Sequence, residues 1–152
     1  MKSLLINIHS SLIMLIFAAM AFPAISDAQT NVASEAEIKI EVVYFHAPNR
    51  CPSCVATENQ TKSTLEKYFR AEMEKGVITF ASLDLKEKKN ESLVEKYEIV
   101  FPTLLILKKQ GNKEIKTDFS TSAFQYAYPE PKKYEKLLQA EILKQLNSNK
   151  IL

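Results

Sequence analysis

The stretch YFHAPNRCPSC, residues 44–54, decides how this sequence folds and where its chemistry lies. It overlaps the end of the segment Ile38 to Phe45, which is rich in β-branched and aromatic residues and becomes continuously apolar from Val42 onward. This pattern predicts a central strand buried on both faces. A loop follows at Pro48 to Arg50, and Pro52 suits the first turn of a helix predicted over residues 52–75. The two cysteines of the chain therefore fall at the junction between a strand, a loop and a long helix.

The spacing of Cys51 and Cys54 indicates a chemical role. A disulfide between residues this close together encloses a very short loop, so it contributes little entropic stabilisation. Cys51 is expected to be the nucleophile, because the positive end of a helix and the neighbouring Arg50 both favour a thiolate. Cys54, one helical turn further on, is expected to be the resolving thiol. An inert bridge at the same two positions remains the alternative.

The remainder of the chain alternates strand and helix patterns. The long first helix is expected to place Val55, Leu65, Phe69 and Met73 on its inward face. Further elements are predicted as strands at residues 77–83, 103–107 and 114–119, as helices at 90–97 and from 131 onward, and as an aromatic-bearing loop at 119–128. The order β-α-β-α-β-β-α predicts an α/β fold, with crossover helices between the first three strands and an antiparallel hairpin at Gly111.

A second motif, YEIVFPTLLILKKQG at residues 97–111, completes the pattern. Together the two motifs resemble the thioredoxin superfamily, in which an aromatic–aromatic–Ala run precedes the CxxC and a Pro–Thr pair opens the next core strand. The matching residues here are Phe45, His46, Ala47, Pro102, Thr103, Lys109 and Gly111. The resemblance covers residues 38–111 and implies a trimmed thioredoxin-like fold, with a central four-stranded mixed sheet flanked by helices.

The resemblance also implies how a partner would be recognised. Pro102 is expected to be a cis-proline lying beside Cys51 and Cys54, with Thr103 opening the strand that follows it. The backbone around Phe101 would then pair with an extended partner peptide. A trans proline at the entrance of a strand is the alternative for Pro102.

Several positions depart from the pattern of the family. Arg50 stands where thioredoxin has a tryptophan, and Tyr44 stands where the family has a buried acid that moves the proton of the resolving cysteine. Glu58 is a substitute for that acid, or else an exposed residue of the helix. Pro52 and Ser53 separate the two cysteines. A proline directly after the first cysteine makes the motif similar to that of glutaredoxins and bacterial disulfide oxidases.

The first 28 residues have the layout of a secretory signal peptide. Lys2 precedes an apolar run at residues 12–21, and Ser26 and Ala28 place small residues before a cleavage site. We therefore expect a signal peptide at 1–28, a short leader at 29–37 and a thioredoxin-like domain at 38–152. The mature protein would be exported, to a periplasmic or other extracytoplasmic location. Retention of the apolar run as a membrane anchor is the alternative.

Three functions remain open at this stage. The favoured one is thiol–disulfide exchange on exported proteins, as a reductant or redox relay whose electron source would be a membrane thiol-transfer protein. Oxidation or isomerisation of the substrate is the alternative direction. The second is a Cu(I)-handling protein that binds through Cys51, Cys54 and His46. The third is a non-catalytic peptide-binding module.

The composition argues against other classes of function. A net charge of +2 with scattered basic residues gives no reason to expect a nucleic-acid partner. Structural zinc would need four ligands, whereas two cysteines and one histidine follow residue 28. The protein is expected to act as a monomer and without a cofactor.

Overall fold

The computed structural model describes residues 37–148. The predicted signal peptide, nearly all of the predicted leader and residues 149–152 of the predicted domain lie outside this range. Within it, none of the helices combines the length and the apolar character that a membrane span requires.

The described chain forms a four-stranded mixed sheet. Its strands are β1 (Ile38–His46), β2 (Ile78–Asp84), β3 (Thr103–Gln110) and β4 (Lys113–Asp118), in the order β2-β1-β3-β4. Strand β1 is parallel to β2 and antiparallel to β3, and β4 is antiparallel to β3. The predicted crossover between β1 and β2 is confirmed, whereas the crossover predicted between β2 and β3 is wrong, because β3 runs antiparallel to both of these strands. This arrangement confirms the predicted trimmed thioredoxin-like fold. It also makes β1 an interior strand, from whose carboxyl end the cysteine-bearing loop departs.

Helices cover the sheet, and their bounds correct two predictions. They are α1 (Pro52–Tyr68), α2 (Arg70–Glu74), a 3-10 turn (Lys88–Asn90), α3 (Glu91–Lys96), α4 (Ser120–Tyr126) and α5 (Pro131–Asn147). The helix predicted over 52–75 is interrupted at Phe69, whose backbone leaves the helical region (φ −132°, ψ 25°) while its ring is buried.

The segment at residues 119–128, predicted as a loop, contains α4. The Asp118 carboxylate accepts a hydrogen bond from the Ser120 N–H at 2.8 Å and so caps the start of this helix. Ala123 and Ala127 then bury small side chains in the core. This short helix was not predicted because its one buried residue, Ala123, gives no apolar periodicity among the polar and aromatic residues around it.

The sheet is buried on both faces, as the continuous apolar run of β1 predicts. Side chains of β1 alternate between two clusters. One cluster contains Ile40, Val42 and Tyr44 together with residues of α1, α4 and α5, and the other contains Val43 and Phe45 together with Tyr97 and Ile99. The position of Tyr44 in the first cluster places it on the face of the sheet that α1 covers.

The buried face of α1 is more polar than predicted. Thr57, Thr61 and Thr64 are buried, whereas Val55, expected to point inward, is 40% exposed. The Thr61 hydroxyl donates to the Thr57 carbonyl at 2.6 Å and shares a 2.5 Å hydrogen bond with the hydroxyl of Tyr134 in α5. The two long helices are therefore joined partly by hydroxyl groups, which an apolar periodicity does not reveal.

Candidate active site

Cys51 occupies the N-cap position of α1. Its backbone is extended (φ −79°, ψ 163°), and its Sγ accepts a hydrogen bond from the backbone N–H of Cys54 at 3.2 Å. The Ser53 hydroxyl lies 3.4 Å from the same sulfur, and the first turn of α1 contains no acidic residue. Because a free N–H and the positive end of a helix both favour an anion, this geometry stabilises a thiolate at Cys51.

Cys51 and Cys54 form a disulfide across the first turn of α1, with their Cα atoms 5.1 Å apart. The two residues differ in accessibility, because Cys51 is exposed whereas Cys54 is 8% exposed. Pro52 occupies the first helical position, where its missing N–H costs no hydrogen bond. Cys51 is therefore accessible from solvent, whereas Cys54 faces the interior, which fits the predicted roles of nucleophile and resolving thiol.

Arg50 does not act on Cys51 in the way the sequence suggests. Its Nη2 forms an ion pair with Oε2 of Glu58, and its guanidinium carbon lies 5.9 Å from the centroid of the Tyr44 ring. Within residues 37–148, the groups that hydrogen-bond to Sγ of Cys51 are those of Ser53 and Cys54. Arg50 was expected to stabilise the Cys51 thiolate directly, but its guanidinium is paired with a carboxylate instead. Glu58 is the partner in this ion pair, so it is not the fully exposed helix residue that was the alternative.

Tyr44, which stands at the position of the family's buried acid, is fully buried. Burial raises the pKa of its phenol above the ordinary value of 10.0, and the positive charge of Arg50 acts in the opposite direction. Arg50 is close enough to this phenol to lower its pKa through its charge and as a potential hydrogen-bond donor. Its guanidinium nevertheless bonds to Glu58, and no described residue lies at hydrogen-bonding geometry to the Tyr44 hydroxyl. A neutral phenol therefore replaces the ionisable carboxyl group at this position.

The unpaired hydroxyl of Tyr44 predicts an unusual response to mutation. A buried hydroxyl without a partner destabilises a fold by about 1–3 kcal/mol, so Tyr44→Phe should raise the free energy of unfolding by about 1 kcal/mol. The matched variant Tyr134→Phe removes a hydroxyl that is bonded to Thr61, so it should lower that free energy by about 1 kcal/mol. Urea unfolding of both variants measures the difference. Equal destabilisation by the two substitutions would contradict the assignment.

The peptide bond between Phe101 and Pro102 is trans, since the described chain contains no cis peptide bond. The predicted cis-proline is therefore wrong, and the alternative of a trans proline at a strand entrance is the one observed. The connection turns at Glu98, whose φ is +57°, and the chain enters β3 in the form that X–Pro bonds prefer by about 0.5–1 kcal/mol.

The segment around Pro102 still lies at the edge of the sheet from which the cysteine loop departs. Thr103 pairs with Phe45 near the carboxyl end of β1. Thr103 itself is buried, and its hydroxyl donates to the carbonyl of Phe101 at 2.8 Å. This bond fixes the backbone on both sides of Pro102.

Two apolar side chains before Pro102 are exposed to solvent. Val100 is 81% exposed and Phe101 is 65% exposed. Phe101 was expected to lie at the site and Val100 was not, although both belong to the apolar run IVFP that precedes the first residue of β3. Apolar residues that lie before the first residue of a predicted strand are the signal that could have identified Val100 and Phe101.

A groove also runs beside Cys51 along α1. It has a volume of about 530 Å³ and is lined by Arg50, Pro52, Val55, Ala56, Asn59, Gln60 and Tyr128. Tyr128, at 63% exposure, stands at its rim. Tyr128 is the last residue of the segment predicted as an aromatic-bearing loop, and its side chain is exposed instead of covering the core.

His46 is not brought into a metal site. Its Nδ1 lies 3.0 Å from the carbonyl oxygen of Ala47, and its ring contacts that of Tyr44 at 6.1 Å between centroids. In the part of the chain that the structure describes, no group of three His, Cys, Asp or Glu residues is arranged to hold a metal ion. The Cu(I) hypothesis based on Cys51, Cys54 and His46 thus lacks geometric support.

No protein-family model and no curated protein matches the chain. Among solved structures, it is similar to a thioredoxin-2 described as a component of malaria parasite protein secretion machinery, at 21% identity over 68% of this chain and 84% of that chain, with a TM-score of 0.42. A thioredoxin from Thermus thermophilus matches at 15% identity over 70% of this chain and 76% of that chain, with a TM-score of 0.44. Chloroplastic thioredoxin z matches at 19% identity over 67% and 80%, with a TM-score of 0.40.

These likenesses are distant, and nothing about the site is inferred from them. The strand order, the two antiparallel pairs and the cysteine pair at the start of the helix after β1 are features of this chain itself. On those features, the described domain has a thioredoxin-like fold with a CxxC pair at the expected position.

Proposed function

We propose that this protein carries out thiol–disulfide exchange on exported proteins or peptides, acting as a reductant through Cys51 and Cys54. The observation that carries the proposal is the hydrogen bond from the Cys54 N–H to Sγ of Cys51 at the start of α1. A structural bridge has no need of a sulfur placed at a helix N-cap and open to solvent. A nucleophile needs both.

The reaction follows from the asymmetry of the two cysteines. The Cys51 thiolate attacks one sulfur of a substrate disulfide, forms a mixed disulfide and releases the other substrate sulfur as a thiolate, which takes up a proton. The Cys54 thiol then loses its proton, attacks Sγ of Cys51, and releases the second substrate sulfur. The substrate gains two electrons and becomes a dithiol, while Cys51 and Cys54 are oxidised to the disulfide seen in the structure.

Repeated turnover requires a donor that returns two electrons to the Cys51–Cys54 disulfide. A dithiol presented by a membrane thiol-transfer protein fits this requirement, because the same exchange run in reverse regenerates both thiols. The sequence of residues 1–28 supports an exported protein, for which a donor at the membrane is the accessible one.

The exposed pair Val100 and Phe101 supports recognition of an extended peptide beside Cys51. Because the two residues are adjacent in the chain, they form a small exposed apolar patch that a partner can cover. The backbone at Phe101 leads directly into β3, so a substrate strand can pair with it while its cysteine reaches Cys51. These two residues also favour the second candidate function, a peptide-binding module without catalysis.

An activity assay tests the proposal and separates the two functions. A catalytic amount of the protein, with dithiothreitol as donor, should accelerate the reduction of a fluorescence-quenched peptide disulfide at least tenfold over dithiothreitol alone. The same peptide with serines in place of its cysteines reports binding without exchange. Binding of the serine peptide without acceleration of the disulfide peptide would favour the non-catalytic module and contradict the proposal.

A further inference from the structure

Arg50 is held between two groups on the inner side of the cysteine loop. Its guanidinium pairs with the carboxylate of Glu58 and lies over the buried ring of Tyr44. The side chains of Arg50 and Glu58 are only 27% and 24% exposed. Arg50, which directly precedes the nucleophilic Cys51 in sequence, is therefore held in place by Glu58 of helix α1.

The position of Glu58 in α1 suits this task. The first turn of the helix contains no acid, and Glu58 is the first acidic residue along it. It lies seven residues after Cys51 and four after Cys54, and residues with these separations share one side of a helix. A carboxylate on this side reaches the cysteine loop without placing its own charge at the helix N-terminus.

A free arginine at position 50 would change the balance between the two redox states. An unpaired cation near Cys51 favours its thiolate, and stabilising the thiolate stabilises the reduced form of the pair. A stabilised reduced form raises the reduction potential and makes a protein more oxidising. The ion pair with Glu58 cancels much of the charge that would produce this effect.

We propose that Glu58 is a positioning residue, which holds Arg50 in an ion pair and thereby keeps the reduction potential of the Cys51–Cys54 pair in the reducing range. This inference rests on the proposed function, because a potential matters only for a pair that cycles. Glu58 would thus act on the Cys51 sulfur indirectly, through its ion pair with Arg50. This ion pair would help to determine whether the cysteine pair reduces or oxidises its substrates.

Glu58→Gln tests the proposal, because glutamine keeps the size of the side chain and removes its charge. The equilibrium constant for exchange with glutathione should shift about threefold toward the reduced protein, which is about 14 mV in potential. The matched control is Glu66→Gln, in the same helix, whose carboxylate pairs with Lys62. This control should leave the potential unchanged, and an unchanged potential in Glu58→Gln would overturn the proposal.

A double-mutant cycle separates release of Arg50 from simple loss of a negative charge. In an Arg50→Gln background, the substitution Glu58→Gln should no longer raise the potential, since the cation it would release is absent. An equal rise in both backgrounds would overturn the proposal. Far-ultraviolet circular dichroism of each variant confirms that α1 is retained.

The wild-type protein distinguishes failure of this inference from failure of the proposed function. If its disulfide does not equilibrate with glutathione at all, both are overturned. If the wild-type pair equilibrates and reduces a peptide disulfide, while the potential is insensitive to Glu58, the inference alone is overturned.

Discussion

Replacing Cys51 by serine is expected to abolish the acceleration of disulfide reduction, so that the rate falls at least about tenfold, to that of the donor alone. A serine hydroxyl cannot form the mixed disulfide, and the buried Cys54, at 8% exposure, is not accessible to a protein substrate. The peptide-disulfide assay measures the loss. Because Cys51 is exposed to solvent, the fold should survive the substitution.

Ser63→Ala is the control for this experiment. Ser63 lies on an exposed position of α1, so its loss should leave the rate within a factor of two, in keeping with the small effects of most surface substitutions. Retention of a substantial rate by Cys51→Ser would assign the nucleophile to another group and contradict the mechanism.

Replacing Cys54 by serine should produce the opposite chemical outcome, a trapped intermediate. Cys51 can still attack a substrate disulfide, but no second thiol is present to resolve the mixed disulfide. Turnover should fall to the background rate, while about one equivalent of substrate peptide remains covalently bound. Mass spectrometry without reducing agent measures the adduct, which dithiothreitol should release.

The adduct distinguishes the two cysteines. Cys51→Ser should give no adduct under the same conditions, because its remaining thiol is buried behind the first turn of α1. Adduct formation by Cys51→Ser in place of Cys54→Ser would reverse the assigned roles.

The central strand and the cysteine junction could be predicted because their residues leave few alternatives. The segment Ile38 to Phe45 becomes continuously apolar from Val42 onward, which is typical of a strand covered on both faces. The loop residues and Pro52 then fix where the helix begins. The N-cap position of Cys51 follows from these two constraints, and the structure confirms it.

Tertiary contacts decided the features that sequence analysis missed. A proline before a core strand does not reveal whether its peptide bond is cis or trans, and the bond before Pro102 is trans. Helix α4 was missed because its contacts with the core are made by Ser120, whose hydroxyl accepts a hydrogen bond from the Leu104 N–H at 2.9 Å, and by the small side chain of Ala123. A local propensity argument does not include these tertiary contacts.

The role of Arg50 shows the same limit at the site. The sequence places this cation directly before Cys51, where it would be expected to stabilise a thiolate. In the fold, Glu58 lies near enough to capture it, and the buried ring of Tyr44 lies beneath. The sequence shows that a positive charge lies next to Cys51. The helix geometry decides that this charge is paired with Glu58 and does not bind the sulfur.

The reduction potential of the Cys51–Cys54 pair tests the central claim most directly. Equilibration of the wild-type protein in glutathione and dithiothreitol buffers should give a single reversible two-electron transition, with a potential between about −270 and −180 mV. Such a value identifies a pair that cycles. A potential below about −300 mV, which is typical of structural disulfides, or the absence of a reversible transition would contradict the claim and identify the pair as an inert bridge.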